Sequence, residues 1–187
     1  MNRRDCLALI GTTSLMLAGC ASAPPAMGTG DLGVVVARYT GTLAIVNTSS
    51  RKLLGQVQGL GDLSHASVVF SRDARHAFVF GRDGGLTKVD LLTQRIVGRV
   101  MQAGNSIGGA LSADGPPVVA QNYTPGGLQA FDADTLELVA DVPAEHENGK
   151  RSRIVGLVDL PGQRFAYSLF DANAIWITDL SNPAHPV

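Results

Sequence analysis

The 187-residue sequence has little charge of either sign to spare. Lys and Arg total 15 and Asp and Glu 16, for a formal net charge of −1. The chain therefore lacks both the basic footprint of a nucleic-acid surface and a polybasic patch for an anionic membrane. Aromatic residues make up only 5% of the chain, and cysteine occurs twice, at Cys6 and Cys20. The apolar stretch over residues 7–17 is too short to cross a bilayer, which takes about 20 residues. Glycine is plentiful, with 22 copies against about 7% in an average protein. Many glycines with few aromatics suit short strands joined by tight turns and speak against a helical bundle. Val, Leu, Ile and Ala are spread along the chain, which excludes a disordered polymer.

Residues 1–20 read as an export signal: basic Arg3 and Arg4, then the apolar stretch, then Leu17-Ala18-Gly19-Cys20. That last tetrapeptide resembles a bacterial lipobox, in which the cysteine becomes the lipidated N-terminus. Residues 1–19 are then expected to be a lipoprotein signal peptide, Cys20 the lipidation site, and residues 20–30 a flexible tether. The mature protein would be periplasmic and lipid-anchored. An ordinary signal peptide with a chance cysteine is the alternative. Arg3-Arg4-Asp5-Cys6-Leu7 loosely resembles a twin-arginine motif, which leaves the export route open. With Cys6 removed and Cys20 lipidated, no thiol remains for a disulfide, a thiolate nucleophile, a zinc ribbon or an iron–sulfur cluster.

The rest of the chain contains a repeat. Gly41-Thr42-Leu43-Ala44-Ile45-Val46-Asn47, Gly84-Gly85-Leu86-Thr87-Lys88-Val89-Asp90 and Gly126-Gly127-Leu128-Gln129-Ala130-Phe131-Asp132 align, and Asn173-Ala174-Ile175-Trp176-Ile177-Thr178-Asp179 follows more loosely. The closing Asn or Asp recurs at spacings of 43, 42 and 47 residues. After each of the first three copies comes a turn and a short apolar strand, at residues 53–57, 96–100 and 138–142; further strands lie between the copies. Four short strands in a period of 40–50 residues mark an all-β fold built of β-propeller blades. A β-sandwich would explain the strands but not the matched copies. Residues 31–187 hold about three and a half such periods, fewer than the 4–8 blades that close a ring. The sequence therefore reads as a partial propeller, the N-terminal half of a longer protein.

Few residues carry an obvious chemistry. The four histidines, His65, His76, His146 and His185, include no zincin pair, and no nucleophile elbow, P-loop or dinucleotide fingerprint is present. His65 stands apart, because it follows a Gly-rich segment and opens the first strand of a blade, at the mouth of the central channel. An imidazole there is either an iron ligand or a polar rim residue. Arg72, Arg82, Arg151 and Arg153 flank turns, where such cations either hold carboxylates through paired contacts or simply face solvent.

The stretch His65-Ala66-Ser67, followed by Phe70-Ser71-Arg72-Asp73-Ala74-Arg75-His76-Ala77-Phe78-Val79-Phe80-Gly81-Arg82-Asp83-Gly84, resembles the haem d1 domain of cytochrome cd1 nitrite reductases. The likeness runs on through Tyr123-Thr124-Pro125, Asp134-Thr135-Leu136-Glu137 and Arg153 to Asp179-Leu180. The resemblance implies an eight-bladed propeller that binds haem d1, or its dihydro precursor, on one face. His65 would match the family's iron-ligand histidine, although one extra residue separates it from the Gly-Arg-Asp-Gly block. Arg72, Arg82 and Arg153 are then the candidate cations for the carboxylates of the tetrapyrrole. Asp83 is the candidate catalytic residue, orienting an arginine or moving a proton, unless it only closes its turn. No Cys-x-x-Cys-His motif for a c-type haem is present, and the lipobox is foreign to the reductase. Both departures fit a lipid-anchored paralogue acting in haem d1 biosynthesis. Its expected partners are the tetrapyrrole and, beyond it, other maturation proteins and nitrite reductase; nucleic acid is not among them. Three functions remain: a haem d1 maturation factor, an oxidoreductase acting on dihydro-haem d1, and a cofactor-free propeller that scaffolds protein contacts.

Overall fold

The computed structural model describes residues 29–186, so the expected signal peptide, Cys20 and most of the tether lie outside the described residues. The first sheet contains β1 (Leu32–Ala37), β2 (Thr42–Asn47) and β3 (Lys52–Val57). The second contains β4 (Ser67–Phe70), β5 (His76–Phe80), β6 (Gly85–Asp90) and β7 (Arg95–Met101). The third contains β8 (Asn105–Leu111), β9 (Pro117–Thr124), β10 (Leu128–Asp132) and β11 (Leu138–Val142). A small hairpin of β12 (Glu145–His146) and β13 (Lys150–Arg151) leads into the fourth, β14 (Ile154–Leu160), β15 (Arg164–Leu169) and β16 (Ala174–Asp179). Every neighbouring pair is antiparallel and consecutive in sequence. This is the up-and-down blade of a β-propeller, as the repeat predicts, and β8 lies against both β4 and β14 so that the first strands gather at the axis.

The repeated residues have a physical cause. The first residue of each copy adopts a left-handed backbone, with φ of 63° at Gly41, 84° at Gly84, 94° at Gly126 and 48° at Asn173. Glycine and asparagine are the residues that enter this region at least cost. At the other end of each copy the closing Asn or Asp caps the next turn. Oδ1 of Asn47 accepts the Ser50 N–H at 2.7 Å, Oδ1 of Asp90 accepts those of Leu92 and Thr93 at 2.9 and 3.0 Å, and Oδ1 of Asp132 accepts those of Asp134 and Thr135. Four residues after each cap, Arg51, Gln94 and Leu136 close the turn with φ of 56°, 58° and 62°.

Packing follows the period of two expected of strands covered on both faces. Ala77 and Val79 of β5 enter a core shared with Leu43, Ile45 and Leu60 of the first blade. Phe78 and Phe80 point the other way, into a core with Val118, Ala120 and Phe131 of the third blade. Val119 then turns to a third core with Ile154, Phe165 and Leu169 of the fourth. Each fully buried Leu or Phe contributes roughly 1.5–3 kcal/mol relative to exposure, so the blades are held chiefly by these three apolar seams. β6, between two neighbours, is buried at all six positions. On β16, by contrast, Ile175 and Ile177 stay 77% and 57% exposed, because no further sheet covers them among the described residues.

Candidate functional site

The strand order divides the molecule into two ends. The upper end carries the β1–β2, β5–β6, β9–β10 and β15–β16 turns and the connections between sheets; the lower end carries the remaining turns. His65 lies two residues before β4, at the upper end beside the axis, and its side chain is exposed with no hydrogen bond among the described residues. Arg82, in the β5–β6 turn, is its neighbour across the connection: the Arg82 backbone N–H donates to the Asp62 carbonyl at 2.7 Å. The Arg82 carbonyl in turn accepts the Ser106 N–H at 3.4 Å, which ties this turn to β8. The Asp62 carboxyl is held below its ordinary pKa, mainly by hydrogen bonds from Ser64, with smaller contributions from the nearby charges of Arg82 and His65. The Arg82 guanidinium has no hydrogen bond or ion pair among the described residues.

Asp83 is more firmly engaged. Its Oδ1 accepts the Gly85 N–H at 3.0 Å and its Oδ2 pairs with Arg99 Nη2 at 2.8 Å. Arg99 Nε also donates to Thr87 Oγ1 at 3.1 Å. The pair fits in a pocket of missing side chains, since a Cβ on Gly61 or Gly85 would overlap the guanidinium or the carboxylate. In this structure Asp83 closes its turn and pairs with Arg99, an arginine outside the set named from the sequence. Nothing in the sequence around Arg99 marks it, because β7 alternates exposed and half-buried residues throughout.

Arg153, the residue before β14, occupies the same upper end. Its guanidinium binds Asp171 of the β15–β16 turn through Nε and Nη2, the shortest contact being 2.6 Å, and lies 4.3 Å from the centre of the Phe170 ring. The Asp171 carboxyl is lowered to about 2 by these bonds, and the Arg153 pKa is raised by the same contact. Arg153 is therefore already neutralised by Asp171 and stacked on Phe170. The Arg153–Asp171 contact joins an inter-sheet connection to the turn of the same sheet through side chains, where in the second sheet the Arg82 N–H and the Asp62 carbonyl join the corresponding segments through the backbone.

Arg72 departs from the expectation. β4 and β5 pair with Ser67 opposite Phe80 and Phe70 opposite Ala77, so the β4–β5 turn that holds Arg72 lies at the lower end. Four strand residues, roughly 13 Å, separate it from His65 and Arg82. Its Nη1 donates to the carbonyls of Ala113 and Gly115 at 3.2 and 3.0 Å. The structure thus brings His65, Arg82, Asp83 and Arg153 to one face and leaves Arg72 on the other.

The upper end also contains polar atoms that the sequence did not single out. Asn122 Nδ2 donates to Gln102 Oε1 at 2.8 Å, and both residues are buried. Gln102 Nε2, Asn122 Oδ1, Asn105 Oδ1 and Ser67 Oγ are buried without a partner. Buried polar atoms normally find one. Unmet donors and acceptors beside an open imidazole and an open guanidinium fit a large ligand with both polar and apolar edges. No three His, Cys, Asp or Glu side chains converge as a metal cage among the described residues; a tetrapyrrole iron, already held by its macrocycle, asks the protein only for an axial donor.

Four antiparallel sheets around an axis, with a polar mouth at one end, define the class: a β-propeller. The Cytochrome D1 heme domain family matches residues 27–187, and the chain belongs to that family. It is 56% identical over 188 residues to Protein NirF of Pseudomonas aeruginosa, a match covering 100% of this chain and 47% of the relative. It is 57% identical over 173 residues to Protein NirF of Stutzerimonas stutzeri, covering 91% of this chain and 44% of the relative. The chain thus spans just under half the length of both. The Dihydro-heme d1 dehydrogenase of P. aeruginosa is 34% identical over 119 residues, covering 63% of this chain and 24% of the dehydrogenase. Among solved structures, Dihydro-heme d1 dehydrogenase NirN in complex with DHE superposes with a TM-score of 0.78 at 29% identity, over 91% of this chain and 37% of that one. A functionally unknown protein from Desulfotomaculum acetoxidans, at a TM-score of 0.68 and 13% identity, shares the fold.

Proposed function

We propose that this propeller segment holds a haem d1-type tetrapyrrole on its upper face while that cofactor is formed or delivered. The observation that carries the reading is the exposed His65 imidazole at the axis beside the Arg82 guanidinium, neither of them bonded among the described residues. A bound tetrapyrrole would supply iron redox and ligand chemistry, and this chain's residues would bind and orient it. His65 offers an axial nitrogen, Arg82 a fork for a peripheral carboxylate, and the Phe170–Arg153 stack a flat, partly apolar edge. Membership of the Cytochrome D1 heme domain family and the identity to NirF support the ligand class. A periplasmic, lipid-anchored location through Cys20 belongs to the same reading, as do other maturation proteins and nitrite reductase as recipients.

A second reading, oxidation of a dihydro-haem d1 side chain, is favoured by the 34% identity to the dihydro-haem d1 dehydrogenase. It requires a two-electron acceptor and a base. Asp83, the one carboxylate put forward for that role, is held by Arg99 and Gly85 N–H. Carriage is therefore the reading we adopt.

Equilibrium binding of haem d1 to the full-length protein and to Arg82→Ala tests the proposal. Binding by the wild type that weakens about tenfold or more in the variant supports it. A folded wild type that binds no haem d1 refutes it and leaves a scaffold propeller.

A further inference from the structure

The lower end, remote from His65 and Arg82, holds a cavity between the second and third blades. Each third strand of a blade presents two side chains to the following blade: Leu43 and Ile45 from β2, Leu128 and Ala130 from β10, Leu86 and Lys88 from β6. Ile45 and Ala130 are 0% and 1% exposed, and the fold is satisfied by an apolar residue there; in the second blade the same position carries Lys88, 7% exposed. Its Nζ donates to the Asp134 carbonyl at 3.1 Å and lies 5.8 Å from the Phe78 ring centre. The Asp134 carboxylate, 3.9 Å away, is 98% exposed. One hydrogen bond leaves an ammonium with two unused donors, and a buried charge without full pairing is unfavourable.

Those donors border a cavity of about 230 Å³ between the second and third blades, which Arg72 and His76 also line. Arg72 spends Nη1 on the Ala113 and Gly115 carbonyls, and Nε and Nη2 have no partner among the described residues. His76 is pushed below its ordinary pKa, chiefly by burial and then by the Lys88 charge. Two acids share the lining: Asp73 accepts from Ser71 Oγ and the Arg75 N–H, and the Asp134 carboxylate faces solvent 3.9 Å from Lys88 Nζ, while Asp90, outside the lining, binds the Arg75 guanidinium at 2.8 Å. Arg72 and Lys88 both keep unfilled donors toward one small cavity, which suits an acceptor-only ligand.

We propose that this cavity binds a small oxyanion, a phosphate or carboxylate, held by Lys88 and Arg72. The site explains why the repeat gives up an apolar seam residue at one position. It also explains why the cation the family resemblance assigned to the tetrapyrrole stands on the opposite face.

The test is titration of the full-length protein with inorganic phosphate at constant ionic strength, read by thermal unfolding and by the NMR titration of His76. Lys88→Met keeps the side-chain volume and restores the apolar character of Ile45 and Ala130, so it should fold. Arg72→Gln is the surface companion. The wild type is expected to show a saturable rise in Tm and an upward shift of the His76 midpoint. The apparent phosphate affinity is expected to fall tenfold or more in Lys88→Met and several-fold in Arg72→Gln. A response that chloride reproduces, or equal phosphate affinity in wild type and Lys88→Met, overturns the proposal.

Discussion

Removing the Asp83 carboxylate distinguishes an anchoring residue from a catalytic one. Asp83→Ala deletes the hydrogen bond from the Gly85 N–H at 3.0 Å, a net loss of about 0.5–1.5 kcal/mol. It also breaks the pair with Arg99 at 2.8 Å, whose side chains are 29% and 28% exposed. At that exposure solvent screening limits the pair to about 0.5–1 kcal/mol. Arg99 keeps its bond to Thr87 Oγ1, so the guanidinium is not stranded altogether. The sum is about 1–2.5 kcal/mol, read as a lower urea midpoint with unchanged slope. Asp83→Asn retains an acceptor for Gly85 and should lose only the ionic part. A double-mutant cycle with Arg99→Ala isolates that part and should return a coupling of about 0.5–1 kcal/mol. Full stability in Asp83→Asn with zero coupling to Arg99 would refute the anchoring role, and loss of turnover in that same stable variant would restore the catalytic one.

Other perturbations follow from the same geometry. Gly84→Ala places a Cβ at φ of 84° against the Ala103 carbonyl; it should cost at least about 2 kcal/mol by urea unfolding. Phe80→Ala empties a fully buried position in the seam between the second and third blades and should cost about 3–5 kcal/mol. The Asp171 carboxyl is lowered to about 2 in the folded chain, against about 3.9 unfolded. Its contribution is therefore complete above about pH 4 and lost as pH falls toward 2, so melting curves over that range should be flatter for Asp171→Asn than for the wild type. His76 has its pKa depressed in the folded state. The unfolded chain takes up that proton first as pH drops below about 6.5, so stability should fall there and His76→Gln should reduce the slope.

The fold was legible because each repeat of the sequence carries its own turn chemistry. The left-handed Gly41, Gly84, Gly126 and Asn173 and the capping Asn47, Asp90, Asp132 and Asp179 are local signals, each acting within a few residues of its own position. They fixed blade boundaries without knowledge of packing. The site was less legible because it is assembled across blades. His65 and Arg82 could be placed from the order of strands within one blade. Arg99 and Asp171 could not, since each is defined by a partner from another strand. Arg72 was grouped with the wrong face because sequence closeness to His65 hides a reversal: four residues of β4 carry the chain from one end of the propeller to the other. Lys88 sat in plain view in the aligned repeat, but only its 7% exposure shows that a cation occupies an apolar seam.

The most direct measurement of the ligand reading is the visible spectrum of haem d1 bound to the full-length protein and to its His65→Ala variant, taken on samples of equal occupancy. With His65 as axial donor, the wild-type complex should show a shifted iron-sensitive band that disappears in His65→Ala and returns when imidazole is added. Identical spectra from the two complexes would contradict that role and remove His65 from the site.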